Sequence, residues 1–292
     1  MSATAIRDET TLLLSLARRN PCVIGPDDSM LLARRLMDEQ GVRHLPVLDF
    51  DRVIGIVSDR DVLRCPSVHA AELGDERARD DASLVRAWMT TGVVFLREYD
   101  EVETAAARML DHGIGGVPII SDRGGLVALI TEAELVRYFA RHRPPGDEEG
   151  FAPVVEHMER EVHVVAPEAP LHHAIMLFTD HPIRHLPVLE GERPVGMLSD
   201  GDVFAFLARA RAGGVSPFDA ANRCVRDAMQ SPVPCVNQLF TVIQAAQLMQ
   251  RRNVEALPVV RERKLIGIFT TRDVLRFVAN RGNRRGNGDA AG

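Results

Sequence analysis

Apolar residues recur along this chain in one register four times over. Each recurrence is anchored by an apolar-x-x-apolar-Pro segment: Val42 to Pro46, Ile114 to Pro118, Ile183 to Pro187 and Val254 to Pro258. Those prolines stand 72, 69 and 71 residues apart, and self-similarity at a fixed period marks a repeat architecture. Sixteen residues ahead of the prolines lie Met30, Val102, Leu171 and Val242. From the last three, apolar residues follow at the spacing of one helix face: Ala105, Ala106 and Met109; Ala174, Ile175 and Phe178; Ala245, Ala246 and Met249. The first repeat keeps Ala33 and Met37 but has Arg34 between them, so charge edges its stripe. Gly41, Gly113, Pro182 and Asn253 then stop the four helices.

After each proline the pattern changes to an apolar strand, a short polar turn and a second apolar strand. The first instance is 45–48 and 53–57 across Asp49-Phe50-Asp51-Arg52. The turns at 190–193 and 261–264 match it, and the second repeat has one extra residue around Gly124-Gly125. A second helix follows directly. Each repeat therefore reads as β-α-β-β-α, about 50 ordered residues, too few to cover both faces of a small sheet. Pairing is required, and Arg-His-Leu-Pro-Val-Leu occurs at both 43–48 and 184–189, so the unit that was doubled is itself a pair. The fold class is α/β (α+β), with four β-α-β-β-α repeats in two pairs.

The register sets boundaries. Residues 1–20 form a helical extension; 21–140 hold the first pair, with repeats at about 21–68 and 86–140. Residues 141–152 are a linker; 153–280 hold the second pair, with repeats at about 153–210 and 223–280; and 281–292 are a Gly/Arg/Asn tail expected to be disordered. Of the 292 residues 46% are hydrophobic and only 5% aromatic, so the core is aliphatic. A net charge of -6 argues against a broad nucleic-acid footprint. No apolar run approaches the roughly 18 residues of a membrane span, and no signal-like start is present, so a cytoplasmic protein is expected. Cys22, Cys65, Cys224 and Cys235 show no CxxC spacing and read as free thiols. Phosphate-loop, dinucleotide, zinc-protease and nucleophile-elbow motifs are absent, so no enzyme is expected. His157, His163, His172 and His173 lack ligand spacing on one face, and no metal is expected either.

The segments that close the repeats are Gly55 to Asp61, Ala128 to Glu134, Gly196 to Asp202 and Gly267 to Asp273. Repeats of this order, closed by Gly-apolar-x-Ser/Thr-x-x-Asp, resemble the CBS (cystathionine beta-synthase) domain family, whose pairs are called Bateman modules. The resemblance spans roughly residues 20 to 280. It implies an adenine nucleotide (AMP, ADP or ATP) whose phosphate and ribose are held by Ser58 and Asp61, Ser199 and Asp202, and Thr270 and Asp273. Arg60, Arg272 and the pairs Arg43-His44 and Arg184-His185 stand near these positions and would give charge-assisted bonds to phosphate. Thr131 and Glu134 form a weak site, because Ala128 and Glu134 depart from the signature and Gly115-Gly116 offers no cation. That diglycine would still let a base approach the backbone. A competing reading is that each Ser/Thr-x-x-Asp/Glu is only a helix capping box, worth about 1 kcal/mol without any ligand.

The resemblance thus implies a regulatory, energy-sensing protein that needs no cofactor. It would signal to an unidentified protein partner in trans by rearranging its modules, and would bind neither nucleic acid nor membrane. An S-adenosylmethionine sensor and a ligand-free interaction scaffold are the alternatives. The four repeats would form either an intramolecular disc or a homodimer.

Overall fold

The computed structural model describes residues 13–65, 68, 83–141 and 152–288; the charged stretch from Glu72 to Asp81 and most of the inter-pair linker lie outside them. The first repeat contains α1 (Leu13–Leu16), β1 (Arg18–Arg19), α2 (Met30–Gln40), β2 (His44–Asp49), β3 (Arg52–Ser58) and α3 (Asp59–Arg64). The second contains α4 (Val85–Trp88), β4 (Leu96–Arg97), α5 (Val102–His112), β5 (Gly116–Ile120), β6 (Leu126–Thr131) and α6 (Glu132–Arg141). The third contains α7 (Leu171–Asp180), β7 (His185–Glu190), β8 (Arg193–Ser199) and α8 (Asp200–Ala212). After α9 (Pro217–Ala221), the fourth contains β9 (Val236–Asn237), α10 (Val242–Arg252), β10 (Ala256–Arg261), β11 (Lys264–Thr270) and α11 (Thr271–Gly288).

Local chemistry accounts for these elements. Helices α2, α5 and α10 bury their apolar stripes and end where Gly41, Gly113 and Asn253 turn left-handed, at φ 60°, 66° and 52°. Every hairpin carries a register shift at the same place, between Val47 and Leu48, Ile119 and Ile120, Val188 and Leu189, and Val259 and Val260. The opening strand of each repeat is short. It is a parallel pairing of β4 on β5 and β9 on β10, and a single bridge, Ile24 to Val47 or Val165 to Val188, in the other two repeats.

The pairing is made by an exchange of edges. Arg18–Arg19, at the start of the first repeat, lines up antiparallel on Leu129 and Ala128 of the second, and Thr90, near the start of the second, bridges Ile56 of the first. Likewise Glu159 bridges Ile268 of the fourth repeat and Gln230 bridges Met197 of the third. Helices join the pairs: α5 and α6 of repeat two pack on α10 and α11 of repeat four, with the Phe139 and Phe277 rings edge to face at 5.4 Å. Repeats one and three meet where the Arg34 guanidinium lies 4.4 Å from the Phe204 ring centroid. The charge inside the first apolar stripe is therefore a contact across the molecule. The contacts among the four repeats close within one chain. Among the described residues no helix is long and apolar enough to cross a membrane.

Two segments differ from their sequence-based description. Leu13, in the part read as an extension, is fully buried in the core shared by repeats two and four. Helix α11 runs to Gly288, into the segment from Arg281 that composition alone assigns to a disordered tail.

The edge exchange explains the glycine that opens three of the four closing segments. A Cβ on Gly55, Gly196 or Gly267 would lie 2.5, 2.5 or 2.4 Å from the sulfur of Met89, Met229 or Met158. Repeat two is clasped by Arg18–Arg19, without a methionine, and there Ala128 is fully buried. Gly267→Ala is expected to cost about 1–3 kcal/mol by overpacking, since its Cβ would also stand 2.7 Å from the Glu159 carbonyl oxygen. Ala128→Gly should cost at most about 1 kcal/mol. Equal losses for the two in chemical denaturation would contradict this steric account.

Candidate functional site

Four strand-to-helix junctions define the site. At each, the residue after the Ser or Thr donates its backbone N–H to the opposite strand entry: Asp59 to the Arg43 carbonyl at 3.0 Å, Glu132 to Gly115 at 3.0 Å, Asp200 to Arg184 at 3.2 Å and Thr271 to Glu255 at 2.9 Å. This repeated bond brings the side chains of equivalent residues toward the point where the repeats meet. Arg43 pairs with Asp59 at 2.7 Å and also with Glu255 of the fourth repeat. Arg184 lies 3.7 Å from Asp59 and 3.9 Å from Asp200. Arg60 reaches Asp200 at 3.2 Å and donates to the Ile183 carbonyl at 3.2 Å. Arg272 is 3.9 Å from Glu132, which also accepts from the Thr271 hydroxyl at 3.3 Å.

A cavity of about 950 Å³ opens onto this meeting point, and its wall includes Arg43, His44, Arg184, His185, Ser199 and Asp202. Thr131 and Glu134, the pair with the weakened signature, line the same cavity. Ser58, Arg60, Asp61, Thr270, Arg272 and Asp273 stand outside its wall. Asp273 is only 3% exposed and accepts from Arg276 at 2.6 Å, and burial pushes its carboxyl up.

All four Ser/Thr-x-x-Asp/Glu pairs are bonded to each other. Asp61 accepts from the Ser58 N–H at 2.8 Å, Asp202 from Ser199 at 2.9 Å, Asp273 from Thr270 at 2.7 Å and Glu134 from Thr131 at 3.0 Å. The capping box is complete at Ser58 and Ser199, while at Thr131 and Thr270 the carboxylate takes the threonine N–H. Asp202 uses its second oxygen to accept from the Gln230 side-chain amide at 2.9 Å, on the segment leading into repeat four.

Burial lowers the His44 and His185 imidazoles below their ordinary value despite nearby carboxylates, so both favour the neutral form. Burial also raises the Glu132 carboxyl. For Glu255 burial works the same way but loses to the Arg43 guanidinium, which holds that carboxyl low. Burial opposes the Arg43 charge too, yet Asp59 and Glu255 raise its pKa. The His44 ring lies against Gly115 and Gly116, where a Cβ on either would stand 3.1 Å from it. The diglycine thus seats an imidazole of repeat one at the place where the sequence leaves room for a base. Two guanidinium nitrogens of Arg184, Nε and Nη2, are buried without a hydrogen-bond partner. Histidines elsewhere are dispersed: His163 stacks on His181 at 4.0 Å and His157 meets Phe277 at 5.5 Å.

Four residues of the meeting point, Asp59, Glu132, Asp200 and Glu255, were not singled out from the sequence. The signal was available, since an acid follows Ser58, Thr131 and Ser199, and Glu255 stands in the position of Arg43 and Arg184 once all four repeats are aligned.

The family model described as CBS domain matches residues 14–67, 85–141, 154–209 and 225–280. The protein MJ1225 of Methanocaldococcus jannaschii is 24% identical over 269 residues, 87% of this chain and 94% of its own length. Its crystal structure superimposes with a TM-score of 0.76, covering 91% of this chain and 99% of that one. A conserved protein of Pyrococcus horikoshii, 21% identical, gives a TM-score of 0.65 with coverage of 91% and 99%. The CBS domain-containing protein YhcV of Bacillus subtilis is 30% identical over 122 residues, 41% of this chain and 83% of its length.

Proposed function

Because the chain belongs to the CBS domain family, we propose that it is a regulatory protein that binds an adenine nucleotide in the central cavity and passes the change in repeat packing to a protein partner. One observation carries this reading. The cavity brings Ser199 and Asp202 onto one wall with Arg184, whose buried Nε and Nη2 make no hydrogen bond. A buried donor left unpaired costs about 1–3 kcal/mol, more for a charged group, and an anionic ligand group would recover it. The start of α8 adds backbone N–H groups and a favourable dipole for phosphate. The reading assigns no catalytic step to the chain.

Purified, nucleotide-stripped protein should melt at higher temperature with adenine ligands. At about 100 times its dissociation constant a ligand adds about 2.7 kcal/mol. Ser199→Ala/Asp202→Ala should start from a lower melting temperature, because it also loses a cap, and should show no further rise with ligand. A panel of AMP, ADP, ATP, S-adenosylmethionine, GTP and NAD identifies the class.

A second reading, an interaction scaffold without ligand, has its own support in the complete capping boxes at Ser58 and Ser199. No rise with any member of the panel would favour it.

A further inference from the structure

The two pairs meet at two joints of different chemistry. Repeats two and four share one apolar cluster, where Phe139 meets Phe277 and Gln247 of α10 donates to the Ala140 carbonyl of α6 at 3.2 Å. Repeats one and three each keep a cluster of their own, and arginines make the polar contacts between them. Arg60 of repeat one reaches Asp200 and the Ile183 carbonyl of repeat three, both at 3.2 Å, and Arg34 lies on the Phe204 ring. Buried apolar area holds the first joint, whereas half-exposed ion pairs hold weakly and are screened by salt. Arg184 stands inside this second joint, a polar seam. Its Nη2 is 3.7 Å from Asp59 Oδ2 across the seam, and its Nε is 3.9 Å from Asp200 Oδ2 on its own side. Arg43 and Arg60 already take those two oxygens at 2.7 and 3.2 Å. Both Arg184 distances exceed a charge-assisted hydrogen bond of about 2.7–2.9 Å, and both nitrogens are buried with no partner. Arg43 and Arg184 thus face one carboxylate oxygen from opposite sides of the seam, and both line the cavity.

From this juxtaposition we infer that an anionic ligand group seated against Arg184 bridges to Arg43 and tightens the seam between repeats one and three, while the joint of repeats two and four stays fixed. The inference rests on the ligand-binding reading above and names the joint whose packing carries the signal. The bridge exists only with the seam closed, and that differential contact is what lets a ligand shift the equilibrium. Arg60 is a positioning residue here: it stands outside the cavity wall and ties Asp200 and the strand entry at Ile183, so that Arg184 faces Arg43. Arg272 matches it at the other joint, donating to the Gly113 carbonyl at 3.0 Å, where the shared core makes that tie dispensable. Arg18, Arg137 and Arg252 also line the cavity, but from the edge of β6 and from α6 and α10, on the side of the apolar joint. An anion held by them alone would leave the seam unchanged.

Hydrogen exchange followed by mass spectrometry on nucleotide-stripped full-length protein, with and without saturating AMP, ADP or ATP, tests this. Helix α2 and the part of α8 from Phe204 onward flank the seam and lie off the cavity wall, as do α5 and most of α11 at the other joint. A bound nucleotide should slow exchange in α2 and in that part of α8 by at least about threefold and leave α5 and α11 unchanged. Without ligand, Arg60→Met should speed exchange in the two seam helices about fivefold, and nucleotide should recover most of the loss. Arg272→Met should change α5 and α11 by less than about twofold. Slowing confined to segments of the cavity wall, equal slowing in all four helices, or faster exchange at the seam overturns the inference. Should Arg60→Met not fold, the wild-type comparison decides alone. Failure of all three nucleotides to bind in parallel isothermal titrations overturns the ligand-binding reading itself, a result distinct from binding that leaves the seam unchanged.

Discussion

Phe139→Ala is expected to lower the stability of the chain by about 3–5 kcal/mol, the range for deleting a buried phenylalanine where neighbours cannot collapse into the space. Phe139 is 1% exposed and meets Phe277 edge to face at 5.4 Å, so the variant loses an aromatic pair as well as area. The position matters more than the side chain. Repeats two and four share a single apolar cluster, whereas repeats one and three each keep a cluster of their own. The cavity left by the variant lies at the joint between the two pairs. Chemical denaturation should show the loss, and Phe139→Leu, which keeps most of the volume, should recover more than half of it. A loss under about 1 kcal/mol would mean that the helix layer is not what holds repeats two and four together.

Acid should destabilise the protein in a window set by two histidines. Burial lowers His44 and His185 below their ordinary value, so on acidification below about 6.5 the unfolded chain takes up protons that the folded chain refuses. Stability is therefore complete above that pH and is lost as pH falls toward the folded-state values, by up to about 1.4 kcal/mol per pH unit for each histidine. Arg43, Glu255, Asp59 and Asp61 face His44, and Glu255, Asp200, Asp202 and Arg43 face His185. Burial raises Glu132 and Asp273, which pull in the opposite direction nearer the carboxylate range. Melting temperatures at pH 7.0 and 5.5 should fall with acid in the wild type, and His44→Gln/His185→Gln should flatten the dependence. An unchanged slope in the double variant would place the acid sensitivity elsewhere.

The elements were legible in the sequence because each repeat states its own pattern locally. The stripe from Val102 to Met109 and its stop at Gly113 need only neighbours a turn apart. The joints between repeats were not legible in the same way. Thr90, Glu159 and Gln230 clasp their partners through one bridge each, too short for any alternation, although Val85 to Met89, Val154 to Met158 and Val225 to Met229 repeat a Val-x-x-x-Met spacing that marks them. At the site, the Arg-His pairs stood out as charge on the edge of apolar strands. Glu255 did not, because its partner Arg43 is 212 residues away and a single glutamate between apolar residues looks like a solvated edge. The contact of Arg34 with Phe204 was hidden for the same reason: the ring belongs to another repeat, whereas Asp38, its other partner, is one turn along the same helix.

The exchange of edges also bears on where the chain can be cut. Arg18 and Arg19 pair along β6 of repeat two, not along the strands of their own repeat. A fragment begun at residue 21, where the first helix pattern starts, would leave that side of β6 without its neighbour, and an open strand edge invites pairing with another molecule. A trimmed chain would then associate through a borrowed strand, and its oligomeric state would report the site of truncation. Studies of an isolated pair need a boundary ahead of Leu13.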